Sequence, residues 1–164
     1  MTLSIEFNIE DETWLETVPW YREVALRAAD LALDAVGARG LSAEISVLLC
    51  DDARIAALNA DFRDKAAATN VLSWPAHDLA PPSPGDAPPP PPDEELGDLA
   101  FARETVEKEA QAQQITADAH FAHLFIHGLL HLLGYDHETD ADADVMEGIE
   151  RRALAAMGIA DPYA

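Results

Sequence analysis

The stretch H127-G-L-L-H-L-L-G-Y-D-H137 places three histidines within eleven positions of a leucine-rich background. On a helical wheel at 100° per residue, His131 and His123 lie about 40° to either side of His127, and His120 lies about 20° away. All four share one stripe. Phe121, Leu124, Phe125, Ile126, Leu129, Leu130, Leu132 and Leu133 fill the rest of the circumference. A helix apolar all round is buried, and a buried imidazole without a partner is costly. Histidines four apart on a helix have Cβ atoms about 5–6 Å from each other, so His127 and His131 can reach one ion. Gly134 is placed to end the helix in a left-handed conformation, after which His137 can return to the same point. Two ligands on a helix, a reversal and a third ligand leave one tetrahedral position open, as in catalytic rather than structural zinc sites. The reading is one zinc ion per chain held by His127, His131 and His137. For His123, contact with a ligand histidine, contact with substrate and core packing all stay open, and His77 is read as a surface residue.

The spacing also matches the metzincin protease signature H-E-x-x-H-x-x-G-x-x-H, but Gly128 stands where that signature has its general-base glutamate. A zinc peptidase therefore lacks the group that takes a proton from the attacking water. A second acidic run, Asp140, Asp142 and Asp144, begins like a calcium-binding loop. It has Val145 where such a loop needs glycine and Arg151 where it needs glutamate. It reads instead as negative charge at a helix N-terminus.

Working outward, residues 3–9 and 43–50 read as strands, with a helix over about 18–36 between them. Asp51 and Asp52 can cap a helix over about 53–62. Strands follow at 70–75 and 96–102, then helices at about 103–113, 117–133 and 140–157. The order β-α-β-α-β-β-α-α-α predicts a single α+β domain with helices packed on a small mixed sheet. Residues 80–95, APPSPGDAPPPPPDEE, hold eight of the chain's eleven prolines. Such a stretch cannot be helix or central strand, and it reads as an exposed loop inserted at about 76–95.

The chain has 164 residues and a net charge of −21. That charge opposes loose adhesion to nucleic acid or to anionic membrane. No apolar run reaches the ~20 residues of a bilayer span, and the acidic start MTLSIEFNIEDETW does not resemble a signal peptide. The expectation is a cytoplasmic protein. Cys50, the lone cysteine, lies in the apolar run ISVLLC and reads as a buried, inert thiol.

Beyond these physical readings, the sequence resembles the YbeY-type endoribonucleases, or rRNA maturation factors. The resemblance rests on H123-L-F-I-H-G-L-L-H-L-L-G-Y-D-H137, L58-N-A-D-F-R63, T69-N-V-L-S-W-P75 and L96-G-D98. It departs at Asn70, where the family's usual T-D-V-L-S-F has aspartate, and in the length of the proline-rich segment. The resemblance implies zinc at the three histidines and a functional role for Arg63. It also implies metal-dependent cleavage of single-stranded RNA in small-subunit rRNA maturation and ribosome quality control. The implied partners are an rRNA precursor and the ribosome or its small-subunit proteins; neither a DNA nor a membrane partner is expected. Chemically, a guanidinium suits a phosphate because it is permanently charged and binds in two-pronged fashion. Arg63 and Lys65 form one of the few basic spots in an acidic chain. The competing readings are a zinc peptidase-like hydrolase and a ribosome-associated binding factor whose zinc is structural.

Overall fold

The computed structural model describes residues 3–63 and 67–164, with the side chains of Phe62 and Arg63 outside the description. In chain order the elements are β1 (Leu3–Ile9), α1 (Trp14–Thr17), α2 (Tyr21–Ala35), β2 (Ala43–Cys50), α3 (Asp52–Arg63), β3 (Val71–Pro75), β4 (Glu95–Ala102), α4 (Arg103–Gln113), α5 (Ala117–Leu132) and α6 (Asp140–Ala156). The α+β class and the element order agree with the sequence reading. The one-turn helix α1, between the first strand and the helix expected at about 18–36, is additional.

The sheet runs β1-β2-β4-β3. Strands β1, β2 and β4 are parallel, and β3 returns antiparallel along the far side of β4. The alternation in β1 turns Ile5, Phe7 and Ile9 toward the helices and leaves Ser4, Glu6 and Asn8 exposed. On that inner face, Ile45, Val47, Leu49, Leu99 and Phe101 join residues of α2, α5 and α6 in one core. Helix α3 covers part of the opposite face through Ile55, packed with Cys50, Leu72, Ala100 and Ala102. Asp51 does cap it, accepting from the Arg54 N–H at 2.8 Å. Cys50 is fully buried, and burial followed by the charge of Glu10 pushes its thiol up to about 12, so it stays an unreactive thiol.

Helix α5 runs through the centre, apolar all round as its composition requires, with Phe121, Phe125, Ile126, Leu129 and Leu130 fully buried. Thr116 caps its start by accepting from the Ala119 N–H at 3.1 Å. Its close approach to the sheet passes through Gly128. A Cβ added there would lie 2.9 Å from a Leu99 methyl and 3.5 Å from one of Val71.

Residues 76–94 run without helix or strand between β3 and β4. Most are exposed, but Leu79 is only 7% exposed, and its backbone lies directly against Gly134. The Gly85 N–H donates to Asp142 at 2.8 Å, in the first turn of α6. The segment is thus a mostly exposed loop with two fastenings: Leu79 and Gly85 tie it to the end of α5 and the start of α6.

Candidate metal centre

His127 and His131 lie one turn apart near the end of α5, with their Nε2 atoms 3.1 Å from each other. His137 arrives from the loop beyond Gly134. Its ring centroid lies 5.4 Å from that of His127 and 5.3 Å from that of His131. Each of the three offers a ring nitrogen within 4.8 Å of the others.

The reversal between them is a complete glycine-terminated cap. The Gly134 N–H donates to the His131 carbonyl at 3.1 Å and the Tyr135 N–H to the Leu130 carbonyl at 2.9 Å, the paired bonds of a Schellman motif. Gly134 has φ +102°, a conformation that disfavours any residue with a Cβ. The same turn aims the Tyr135 carbonyl at His131 Nδ1, 3.1 Å away.

His127 is oriented by a different group. Glu150 of α6 is fully buried, and its Oε1 lies 3.2 Å from His127 Nδ1 and 2.9 Å from His123 Nε2. Burial pushes this carboxyl up, but hydrogen bonds from His123 and His127 outweigh it and hold the carboxyl at about 2. Glu150 is therefore an ionised acceptor, and the Nδ1 atoms of both His127 and His131 are occupied as donors. That selects the tautomer whose Nε2 lone pairs face each other. Burial, followed by repulsion from His127 and His137, lowers His131 to about 4, so its imidazole is neutral at physiological pH, as a metal ligand must be. Donor type, tautomer and convergence all fit a zinc ion, and His127, His131 and His137 are the residues that would hold it.

Sequence reasoning missed Glu150, although a signal exists. It lies on the same face of α6 as the buried Met146, Ile149, Ala153 and Leu154, where a carboxylate needs a partner. His123, whose role the sequence leaves open, is its second imidazole partner. Glu150→Gln keeps the volume but removes the charge and replaces one acceptor with a donor. It is expected to weaken zinc binding roughly 10–100-fold, the range for groups that orient a ligand histidine, measured by competition with a chromophoric chelator.

The three histidines open onto a cavity of about 770 Å³, walled on the other side by Asn70, Ser73, Pro75, His77 and Leu79. Its volume lies within the usual range of small-molecule sites. Asn70 donates to Glu109 at 3.0 Å and accepts from the Val71 N–H at 2.7 Å. His77 is a part-exposed surface residue at the border of the cavity, with its Nε2 3.0 Å from Asp93. Arg63 is the last residue of α3, but its side chain and all of Lys65 lie outside the described residues, so the basic spot has no geometry here.

Gly128 explains the missing peptidase glutamate in steric terms. The position faces Leu99 and Val71 of the sheet and not the cavity, so a carboxylate there would be driven into packed apolar side chains.

Fold and site together define an α+β protein with an open three-histidine group at the end of its central helix. The family model described as Endoribonuclease YbeY matches residues 6–158. A Ruegeria pomeroyi protein named Endoribonuclease YbeY is 48% identical over 167 aligned positions, covering 98% of each chain. One of the same name from Dinoroseobacter shibae is 49% identical, covering 98% of this chain and 90% of its own. The chain belongs to the YbeY endoribonuclease family. The solution structure of TM1509 from Thermotoga maritima shares the fold, with a TM-score of 0.55 at 19% identity and 99% of each chain covered.

Proposed function

We propose that this protein is a zinc-dependent endoribonuclease that cleaves single-stranded RNA in small-subunit rRNA maturation and ribosome quality control, in the cytoplasm. The observation that carries the reading is the three-histidine group opening onto the cavity, in a chain whose relatives are named endoribonucleases. One zinc ion per chain, held by His127, His131 and His137, supplies Lewis-acid stabilisation to phosphoryl oxygens. Glu150 and the Tyr135 carbonyl keep the two helix histidines in the tautomer that binds it. Arg63 is assigned to the substrate phosphate, where its planar fork stabilises charge developing in the transition state.

The acidity bears on how RNA is delivered. With 10 Lys and Arg against 31 Asp and Glu, few phosphate contacts are available, and free RNA is expected to bind weakly. A basic partner, the ribosome or a small-subunit ribosomal protein, would bring substrate to the cavity. No helix among the described residues is long and apolar enough to cross a membrane, and neither a membrane nor a DNA partner enters the proposal.

The test uses purified, nuclease-free protein on single-stranded RNA, with and without chelator, beside Arg63→Ala and Arg63→Lys. Wild type should cut RNA only when metal-loaded and should leave casein intact. Arg63→Ala should keep its fold and zinc while losing about 10²–10³-fold in cleavage, the scale for one charge-stabilising donor, and Arg63→Lys should recover part of it. Wild-type rates in zinc-replete Arg63→Ala would remove Arg63 from the mechanism. Chelator-sensitive proteolysis would favour a peptidase. A zinc-loaded wild type that never cuts RNA, even with ribosomes present, would point to a binding factor with structural zinc.

A further inference from the structure

The segment after α6 returns to the metal centre. Tyr163 is 39% exposed, yet its hydroxyl lies 3.1 Å from each oxygen of the buried Glu150 carboxylate. It is also 3.3 Å from His123 Nε2. An ionised carboxylate only accepts, so the phenol donates its O–H to Glu150. Burial and the adjacent negative charge of Glu150 raise its pKa, which keeps the O–H proton in place. Among the described residues, Glu150 Oε2 receives a hydrogen bond from Tyr163 alone, whereas Oε1 also serves His123 and His127.

The segment has its own fastening. Asp161 accepts from the Tyr163 N–H at 2.8 Å and pairs with Arg151 at 3.1 Å. The Arg151 guanidinium lies over the Tyr163 ring, 5.2 Å from its centroid. The ring meets the His123 imidazole edge-on at a centroid distance of 5.7 Å. The ties to Arg151 are solvent-accessible and individually weak. The bond to the buried carboxylate is the one made in a low-dielectric setting, where a hydrogen bond to a charged group is stronger.

We infer that Tyr163 is a positioning residue of the metal centre: its hydroxyl holds the Glu150 carboxylate in the rotamer that orients His127, so the segment following α6 helps set metal affinity. The inference rests on the three-histidine reading of the site. Without the hydroxyl, Oε2 loses its donor, the carboxylate can turn to find water, and His127 loses the partner that fixes its tautomer.

Tyr163→Phe tests this because it keeps the ring against His123 and Arg151 and removes one oxygen. Zinc affinity, by chelator competition, should fall about three- to tenfold, a fraction of the loss expected for a group bonded directly to a ligand histidine. The melting temperature of the metal-free variant should stay close to wild type. In metal-free wild type, long-range proton–nitrogen spectra should show His127 as the Nδ1–H tautomer, and in Tyr163→Phe a mixture. Tyr163→Ala should lower metal-free stability further without weakening zinc binding beyond the phenylalanine variant. Wild-type zinc affinity and an unchanged His127 tautomer in Tyr163→Phe would overturn the inference and leave the residue a surface packing element. His131→Ala, run in parallel, separates the two questions. If that variant binds zinc like wild type, or wild type binds none, the three-histidine reading fails and takes this inference with it.

Discussion

His131→Ala is expected to purify with less than roughly a tenth of one zinc per chain, and its RNA cleavage should fall by more than about a hundredfold. The groups that merely orient a ligand histidine are each worth 10–100-fold, and this substitution removes a ligand outright. The surrounding fold should survive. His131 is only partly buried, and its loss leaves Leu130 and Leu132 in the core. Elemental analysis of the purified variant, with its circular dichroism spectrum, checks both halves. Thermal shift adds an independent reading. A ligand at a hundred times its Kd stabilises by about 2.7 kcal/mol, so excess zinc should raise the wild-type melting temperature by several degrees and leave the variant unmoved. Undiminished zinc in His131→Ala would rule out the site as drawn.

Gly134→Ala should have the second-largest effect, because three requirements meet at one glycine. Its φ of +102° disfavours a side chain. Any Cβ would also lie 2.3 Å from the Leu79 carbonyl oxygen, a backbone atom that cannot rotate aside. The turn must move or Leu79 must leave its buried place. Backbone strain alone costs about 1–3 kcal/mol, and the displaced loop adds to it. A loss of at least about 2 kcal/mol corresponds to a drop of roughly 4–8 °C in Tm for a domain of this size. Zinc affinity should fall as well, because the cap carries the Tyr135 carbonyl that orients His131 and leads the chain to His137. A variant with normal stability but weakened zinc binding would separate these roles. Normal values for both would show that the cap is not needed.

The two predictions differ in what the sequence could disclose. Three histidines at i, i+4 and i+10 with glycine at the reversal are a local pattern. Helical geometry brings the first two together, and a left-handed cap turns the chain so that the third can follow. Both rules act over a turn or two of backbone, so the candidate site is legible before any tertiary contact is known. The strands Ala43–Cys50 and Glu95–Ala102 are legible for the same reason, being short β-branched or apolar runs closed by turn and capping residues. Likewise, the empty place at Gly128 is visible as a missing glutamate.

The tertiary structure decided the rest. The order β1-β2-β4-β3 depends on which strand edges meet, and no periodicity within one strand carries that. Gly128 reads in sequence only as the absence of a base; the contact with Leu99 shows that no side chain is welcome there. Leu79 lies in the loop at 76–95 that reads as exposed, yet a glycine 55 positions later makes room for its backbone. Glu150 and Tyr163 lie 23 and 36 residues from His127, and they serve it only because α6 packs beside α5. A carboxylate on an apolar helix face announces in sequence that it needs a partner. Which partner depends on packing between helices, since hydrogen bonds require donor and acceptor within about 3 Å and separation along the chain does not determine that distance.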